Sequence, residues 1–172
     1  METKHLFTLA TVLCFFWNAE ASAQGTATET IGMEINIEPA FSVETTADQA
    51  GGNIELGPLL PHGSATQTAH VIVYTNRGQP YRITQHLKQD FQNEFGAEFD
   101  PSGMLFSVSN GLHGGQSEVT DLTPVKNGPT VIFTSNRRGD ADEFTITYAA
   151  KPKKLIPAGR YRAQIKIEGE IQ

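Results

Sequence analysis

Thr68-Ala69-His70-Val71-Ile72-Val73-Tyr74-Thr75, then Asn76-Arg77-Gly78-Gln79-Pro80, then Tyr81-Arg82-Ile83-Thr84-Gln85-His86-Leu87, is the stretch on which the fold turns. Both outer runs are rich in β-branched and aromatic residues, which pack well on a pleated, half-buried surface. The insert between them has hairpin length, and Asn, Gly and Pro supply its turn chemistry. No amphipathic helical pattern of useful length follows residue 23. Period-2 alternation recurs instead, broken by Gly, Pro, Asn and Asp.

Outward from this pair, strands are expected at Ile31–Glu38, Phe41–Val43, Asn53–Leu56, Met104–Val108, Ser117–Leu122, Thr130–Thr134, Glu143–Ala149 and Arg160–Glu168. Asn110-Gly111 with Gly114-Gly115, and Asn127-Gly128-Pro129, mark further reversals. Gln85–Phe99 is ambiguous; Gly96 and scattered aromatics favour an irregular connection over a helical turn. Thr75-Asn76-Arg77-Gly78 before Tyr81 has an echo in Ser135-Asn136-Arg137-Arg138-Gly139 before Phe144, and similar hairpins account for it. Eight or nine short strands without helices between them predict an all-β fold, an immunoglobulin-like antiparallel β-sandwich. A closed barrel is the competing architecture.

Residues 1–23 have the three regions of an export signal. A polar start carries Lys4, Leu6–Trp17 is apolar, and Ala21-Ser22-Ala23 offers the small residues a signal peptidase accepts. The apolar run of 12 residues falls short of the about 20 that span a bilayer, so no stable transmembrane anchor is expected. Leu13 is too large to precede a lipidated Cys14. The expected division is a signal peptide over 1–23, an extension or first strand over 24–38, and a sandwich domain over 39–172. Export places the chain in the periplasm in transit, then at the cell surface or in the medium.

Without residues 1–23 the balance is 12 basic and 17 acidic residues, against 13 and 19 in the whole chain. That acidity gives solubility and no footprint for nucleic acid. The single Cys and single Trp both lie in the signal, which excludes disulfides, thiolate metal sites and cysteine nucleophiles from the remainder. His62, His70, His86 and His113 show no metal-ligand spacing on one strand. No nucleophile elbow or phosphate-binding glycine loop occurs. Asp140, Asp142 and Glu143 read as solvated turn residues of a hairpin, and Arg138-Gly139-Asp140 is what a tight turn selects. The expectation is a protein without enzymatic activity, metal or cofactor.

The informative feature is the pair of termini. Ile31, Met33, Ile35 and Ile37 alternate and lead into Glu38-Pro39. Ala158-Gly159-Arg160-Tyr161 leads into alternating Ile165 and Ile167. A long edge strand with one apolar face is an aggregation liability that proteins normally blunt, and here one stands near each end.

With these residues the chain resembles subunits of chaperone–usher fimbriae, in particular the α-type and archaic (spore-coat-U-like) pilins. That resemblance implies a sandwich missing its last strand, completed first by a periplasmic chaperone and then by the extension of the next subunit. It implies that Ile31, Met33, Ile35 and Ile37 form the donor strand and that Tyr161, Ile165 and Ile167 lie on the final strand bordering the groove. Partners would be further copies or related fimbrial subunits, the chaperone and an outer-membrane usher. The lack of Cys departs from disulfide-bonded classical pilins and fits the α-type. The alternative left open is that Ile31–Ile37 completes its own sheet, giving a self-contained secreted or periplasmic binding module; the absence of Trp weakens a carbohydrate ligand for it.

Overall fold

The computed structural model describes residues 34–47, 54, 56, 59 and 63–172. Ile31, Met33, His62 and the signal segment lie outside them. Chain contacts divide the protein into two compact units, Met1–Asn36 and Ile37–Gln172. The described part of the first, residues 34–36, is exposed and forms no strand.

The second unit is all-β. Its strands are β1 (Phe41–Ala47), β2 (Ala65–Thr75), β3 (Tyr81–Gln92), β4 (Met104–Val108), β5 (Gln116–Ser117), β6 (Thr123–Pro124), β7 (Gly128–Thr134), β8 (Asp142–Ala150) and β9 (Arg162–Ile171). They form two antiparallel sheets, one ordered β1-β2-β8-β4-β6 and the other β5-β7-β3-β9, the arrangement of a β-sandwich. Among the described residues the only helical element is a 3-10 turn over Pro101–Gly103.

Alternation decides which side chains meet between the sheets. Ala69, Val71 and Val73 of β2 face Tyr81 and Ile83 of β3, joined by Phe106, Phe133, Phe144 and Ile146, all buried. Phe133 of one sheet stacks on Phe144 of the other at 4.1 Å between ring centroids. Each such side chain contributes about 1.5–3 kcal/mol by leaving water, and packing of this kind has to hold a domain without disulfides together.

The turns differ from the expected hairpins. From β2 onward every consecutive pair of strands is divided between the two sheets, so Asn76–Pro80 and the loop after Thr134 are corners. Turn chemistry alone does not distinguish the two, because Asn and Gly serve either a hairpin or a sheet change. The echo between the two loops is real at the level of corner construction. Asn76 Oδ1 accepts from Ala40 N at 2.7 Å and its Nδ2 donates to Glu38 O at 2.9 Å. Asn136 Oδ1 accepts from Arg138 N and its Nδ2 donates to His113 O. Gly139, at φ 62°, lies so close to the Gln79 backbone that a Cβ would meet its carbonyl oxygen.

Other boundaries shift as well. β3 runs on to Gln92, so the first half of the ambiguous Gln85–Phe99 region is strand, kept in the sheet by register shifts on either side of Gln89. The expected Ser117–Leu122 strand is replaced by the short β5 and β6. Ile54 and Leu56 pack on the core without forming a strand; Asn53 and Glu55 lie outside the described residues. The final strand begins at Arg162 and extends to Ile171.

Candidate functional site: the seam between the first and last strands

β1 and β9 are the edge strands on the same flank of the sandwich, one in each sheet. β9 pairs with β3 on one side, with Ile167 opposite Gln85, Ile165 opposite Leu87 and Gly169 opposite Ile83. Among the described residues no strand pairs with its other side. A strand left in that position presents a row of unpaired N–H and C=O groups.

Alternation along β9 is strict. Ala163, Ile165, Ile167, Gly169 and Ile171 are half-buried, while Arg162, Gln164, Lys166, Glu168 and Glu170 are exposed. Of the inward set, Ile165 and Ile167 face a cavity of about 80 Å³, bordered also by Thr45, Ala69, Ile146 and Ile54. At its base Tyr148 Oη donates to Gln85 Oε1 at 2.7 Å, a buried polar pair. Burial pushes the Tyr148 hydroxyl pKa well above its ordinary value. One end of the seam is closed. A Cβ on Gly169 would come within 2.7 Å of the Phe41 ring and 2.8 Å of Val43, so β1 leans onto β9 there and diverges toward the cavity.

Just before β1, Asn76 clamps the backbone of Glu38 and Ala40. Ile37 is 75% exposed and Ile35 83% exposed. Of the four residues expected to form a donor strand, these two are described, and both carry large apolar side chains in solvent. Of the three expected beside the groove, Ile165 and Ile167 line the cavity. Tyr161 stands one residue before β9; its ring packs on Phe99 at 6.1 Å between centroids and its hydroxyl donates to Pro157 O.

On the outer face, Lys166 Nζ lies 2.9 Å from Glu168 Oε1, and His86 Nε2 lies 3.4 Å from Glu168 Oε2. The Lys166 hydrogen bond and charge hold the Glu168 carboxyl below the usual carboxylate range. Neither Arg160 nor Arg162 has a guanidinium ion pair among the described residues. Both line a polar, open cavity of about 460 Å³ with Gln89, Gln92, Asn93 and Glu94.

His86 and His113 sit beside Glu168 and Asp142 respectively, and no group of three or more metal-ligating side chains gathers among the described residues. Asp142 is not a solvated turn residue: it is 3% exposed, and its carboxylate accepts from the backbone N–H of His113, Gly115 and Glu143. Gly139 of the Arg138-Gly139-Asp140 tripeptide is buried under Gln79, and Asp140 accepts from Asn136 Nδ2. Sequence reasoning missed the Gln85–Tyr148 pair and the role of Asp142. The polar residues within the alternating runs Tyr81–Leu87 and Glu143–Ala149 were the available signal for the former. Among the described residues no helix is long and apolar enough to cross a membrane.

Comparison with protein-family models finds no match for the chain, and comparison with curated proteins finds none either.

Proposed function

We propose that the chain is a structural subunit of a bacterial surface fimbria. In this reading it is an immunoglobulin-like sandwich, exported by a cleaved signal over residues 1–23. It polymerises head to tail when Ile31–Ile37 of one copy adds to the free edge of β9 in the next. A periplasmic chaperone occupies that edge during transit, and an outer-membrane usher receives the subunit.

The observation that carries the reading is an unfilled edge together with an exposed apolar segment. β9 has its apolar residues turned into a seam and no strand on its outer side among the described residues, while Ile35 and Ile37 stand exposed just before β1. Added strands gain main-chain hydrogen bonds along an edge and specificity from alternate side chains in pockets. Four apolar side chains at about 1.5–3 kcal/mol each give on the order of 6–12 kcal/mol before the cost of ordering the segment. The contact is heterologous, so it propagates as an open filament.

Sedimentation of the full chain and of a variant lacking residues 24–38 tests this reading. The full chain is expected to form polydisperse oligomers, and the shortened one a folded monomer. A full chain that stays monomeric, with a shortened one that unfolds, would overturn it in favour of a self-contained exported binding module. What favours that second reading is the polar cavity at Arg160 and Arg162, which has the size of a small-ligand site.

A further inference from the structure

We infer that the cavity of about 460 Å³ where β3 ends and β9 begins binds a free acidic α-amino acid, glutamate or aspartate. Arg160 and Arg162 take its two carboxylates and Glu94 takes its ammonium. Every lining residue belongs to one chain and none to residues 24–38, so the site stands apart from strand donation.

A fault in the sheet shapes the cavity. β3 and β9 keep step from Tyr81 opposite Ile171 to Leu87 opposite Ile165; Gln89 then stands opposite Gln164 and Gln92 opposite Arg162. β3 thus spends three residues where β9 spends two, and such an insertion bends a strand and re-aims its side chains. Gln89 and Gln92, an odd number of positions apart, would point to opposite faces of a regular strand. Across the bulge both are exposed and line the same cavity. The adjoining loops are braced by Asn93, which is buried. Its Oδ1 accepts from the N–H of Phe95 at 3.0 Å and of Ala97 at 2.8 Å, and its Nδ2 reaches Ala158 O at 3.5 Å. Glu94 Oε2 accepts from Arg160 N at 3.2 Å, which ties that carboxylate to the backbone beside the first arginine. A wall fixed before binding lowers the ordering cost that a ligand must offset.

The charges on this frame do not cancel one another. The backbone N–H groups of Glu94 and Arg160 hold the Glu94 carboxyl below the usual carboxylate range, and the charges of Arg160 and Arg162 add to this through space. Neither guanidinium is in an ion pair among the described residues. The cavity therefore offers two cations, one anion and the carboxamides of Gln89 and Gln92. Gln92 Nε2 is turned to Glu98 Oε1, which leaves its Oε1 to accept from a ligand.

A guanidinium presents a planar fork of donors matched to a carboxylate. Two forks and one carboxylate are the charge complement of two carboxylates and one ammonium. A monocarboxylate leaves one guanidinium unmatched. A phosphate, or a dicarboxylate without an amine, sets negative charge against Glu94 with nothing to offset it. A sugar acid gives Glu94 hydroxyl donors but brings a single carboxylate to two forks. An acidic residue within a peptide has lost its α-carboxylate, its ammonium or both to peptide bonds, so the free amino acid is the match. The cavity has room for it, since small-ligand sites run from roughly 300 to 1,000 Å³.

Equilibrium dialysis of the full chain against radiolabelled L-glutamate and L-aspartate tests this, because it reads binding whatever the state of assembly. Saturable binding is expected, with glutarate and galacturonate weaker by about tenfold or more, the scale of one lost charge-assisted contact. Arg160→Gln and Arg162→Gln should each weaken glutamate by about the same factor. Arg82→Gln, which removes an equal charge from the stretch of β3 opposite Glu170, should leave it unchanged. Glu94→Gln separates the roles: glutamate is expected to weaken about tenfold, while glutarate, with no ammonium to lose and a repulsion relieved, does not weaken. Absence of saturable binding of either amino acid at millimolar concentration would overturn the proposal. So would glutarate or galacturonate binding as tightly as glutamate, or Glu94→Gln weakening glutamate and glutarate alike. If an arginine variant loses the parent's urea midpoint, the ligand comparison on the unsubstituted chain decides alone. None of these outcomes bears on residues 31–37, whose donation the sedimentation test decides.

Discussion

Asp142 opens β8 with its carboxylate directed at three backbone N–H groups, two of them in the loop before β5. The loop has no slack to reorganise around a loss, since a Cβ on Gly115 would meet the Phe133 ring and one on Gly111 the Asp142 carboxylate itself. Asp142→Ala leaves three backbone donors without their acceptor, the Gly115 N–H buried and the other two partly so. It is expected to cost about 3 kcal/mol in urea unfolding, with Asp140→Ala costing well under 1 kcal/mol, about what an exposed site loses. A second test at this scale concerns Tyr81 and Tyr148. Burial is the main cause raising both hydroxyl pKa values, with the Asp142 and Asp140 charges adding for Tyr81. Groups raised in the folded state stabilise it fully below their unfolded value and lose that contribution as pH climbs past it. Unfolding stability should therefore decline above about pH 10, and Tyr148→Phe should soften that decline. From sequence, Asp142 looked like its neighbour Asp140 because both lie near a turn. What separates them is that Asp142 already stands in β8 while Asp140 lies in the corner before it, a boundary that local composition does not encode.

β9 carries its information in alternation, and that much was legible: Ile165 and Ile167 fall on the inward face as their spacing required. The start of the strand was not, because Arg160 and Tyr161 have strand-like composition but are drawn off, Arg160 by its N–H bond to Glu94 and Tyr161 by Phe99 and the Pro157 carbonyl. Likewise β3 passed for an irregular segment after Leu87, since the register shifts around Gln89 break the period that would have announced it. Gly169 is the position where β9 and β1 meet most closely. Gly169→Val is expected to force Phe41 aside and destabilise the sandwich by about 1–3 kcal/mol, as overpacking does, measurable as a lowered urea midpoint. Acid behaviour also belongs to this scale. Glu94 is held low by its own and Arg160's backbone N–H, Asp100 by the Ser102 N–H, and Glu168 by Lys166. A depressed carboxylate stabilises the fold above its unfolded pKa and ceases to as pH falls through its folded one. The urea midpoint should stay level from neutrality to about pH 5 and drop below about pH 4.

Across the whole molecule the sequence conveyed the all-β class, but not topology. Period and turn residues predict strands joined by tight turns, and the chain instead alternates between sheets at every turn after β2. Which strands pair is decided by burial of Val71, Ile83, Phe133 and Phe144 against one another, at separations no local pattern reports. The same topology places β1 and β9 side by side as two edges, and the proposed function turns on the free side of β9 receiving a strand from another copy. Amide hydrogen exchange along β9 is the test, comparing the assembled full chain with the variant lacking residues 24–38. Strong protection of the Arg162–Ile171 amides is expected in the assembled chain, and fast exchange of the unpaired ones in the shortened variant. Equal protection of β9 in both would contradict it.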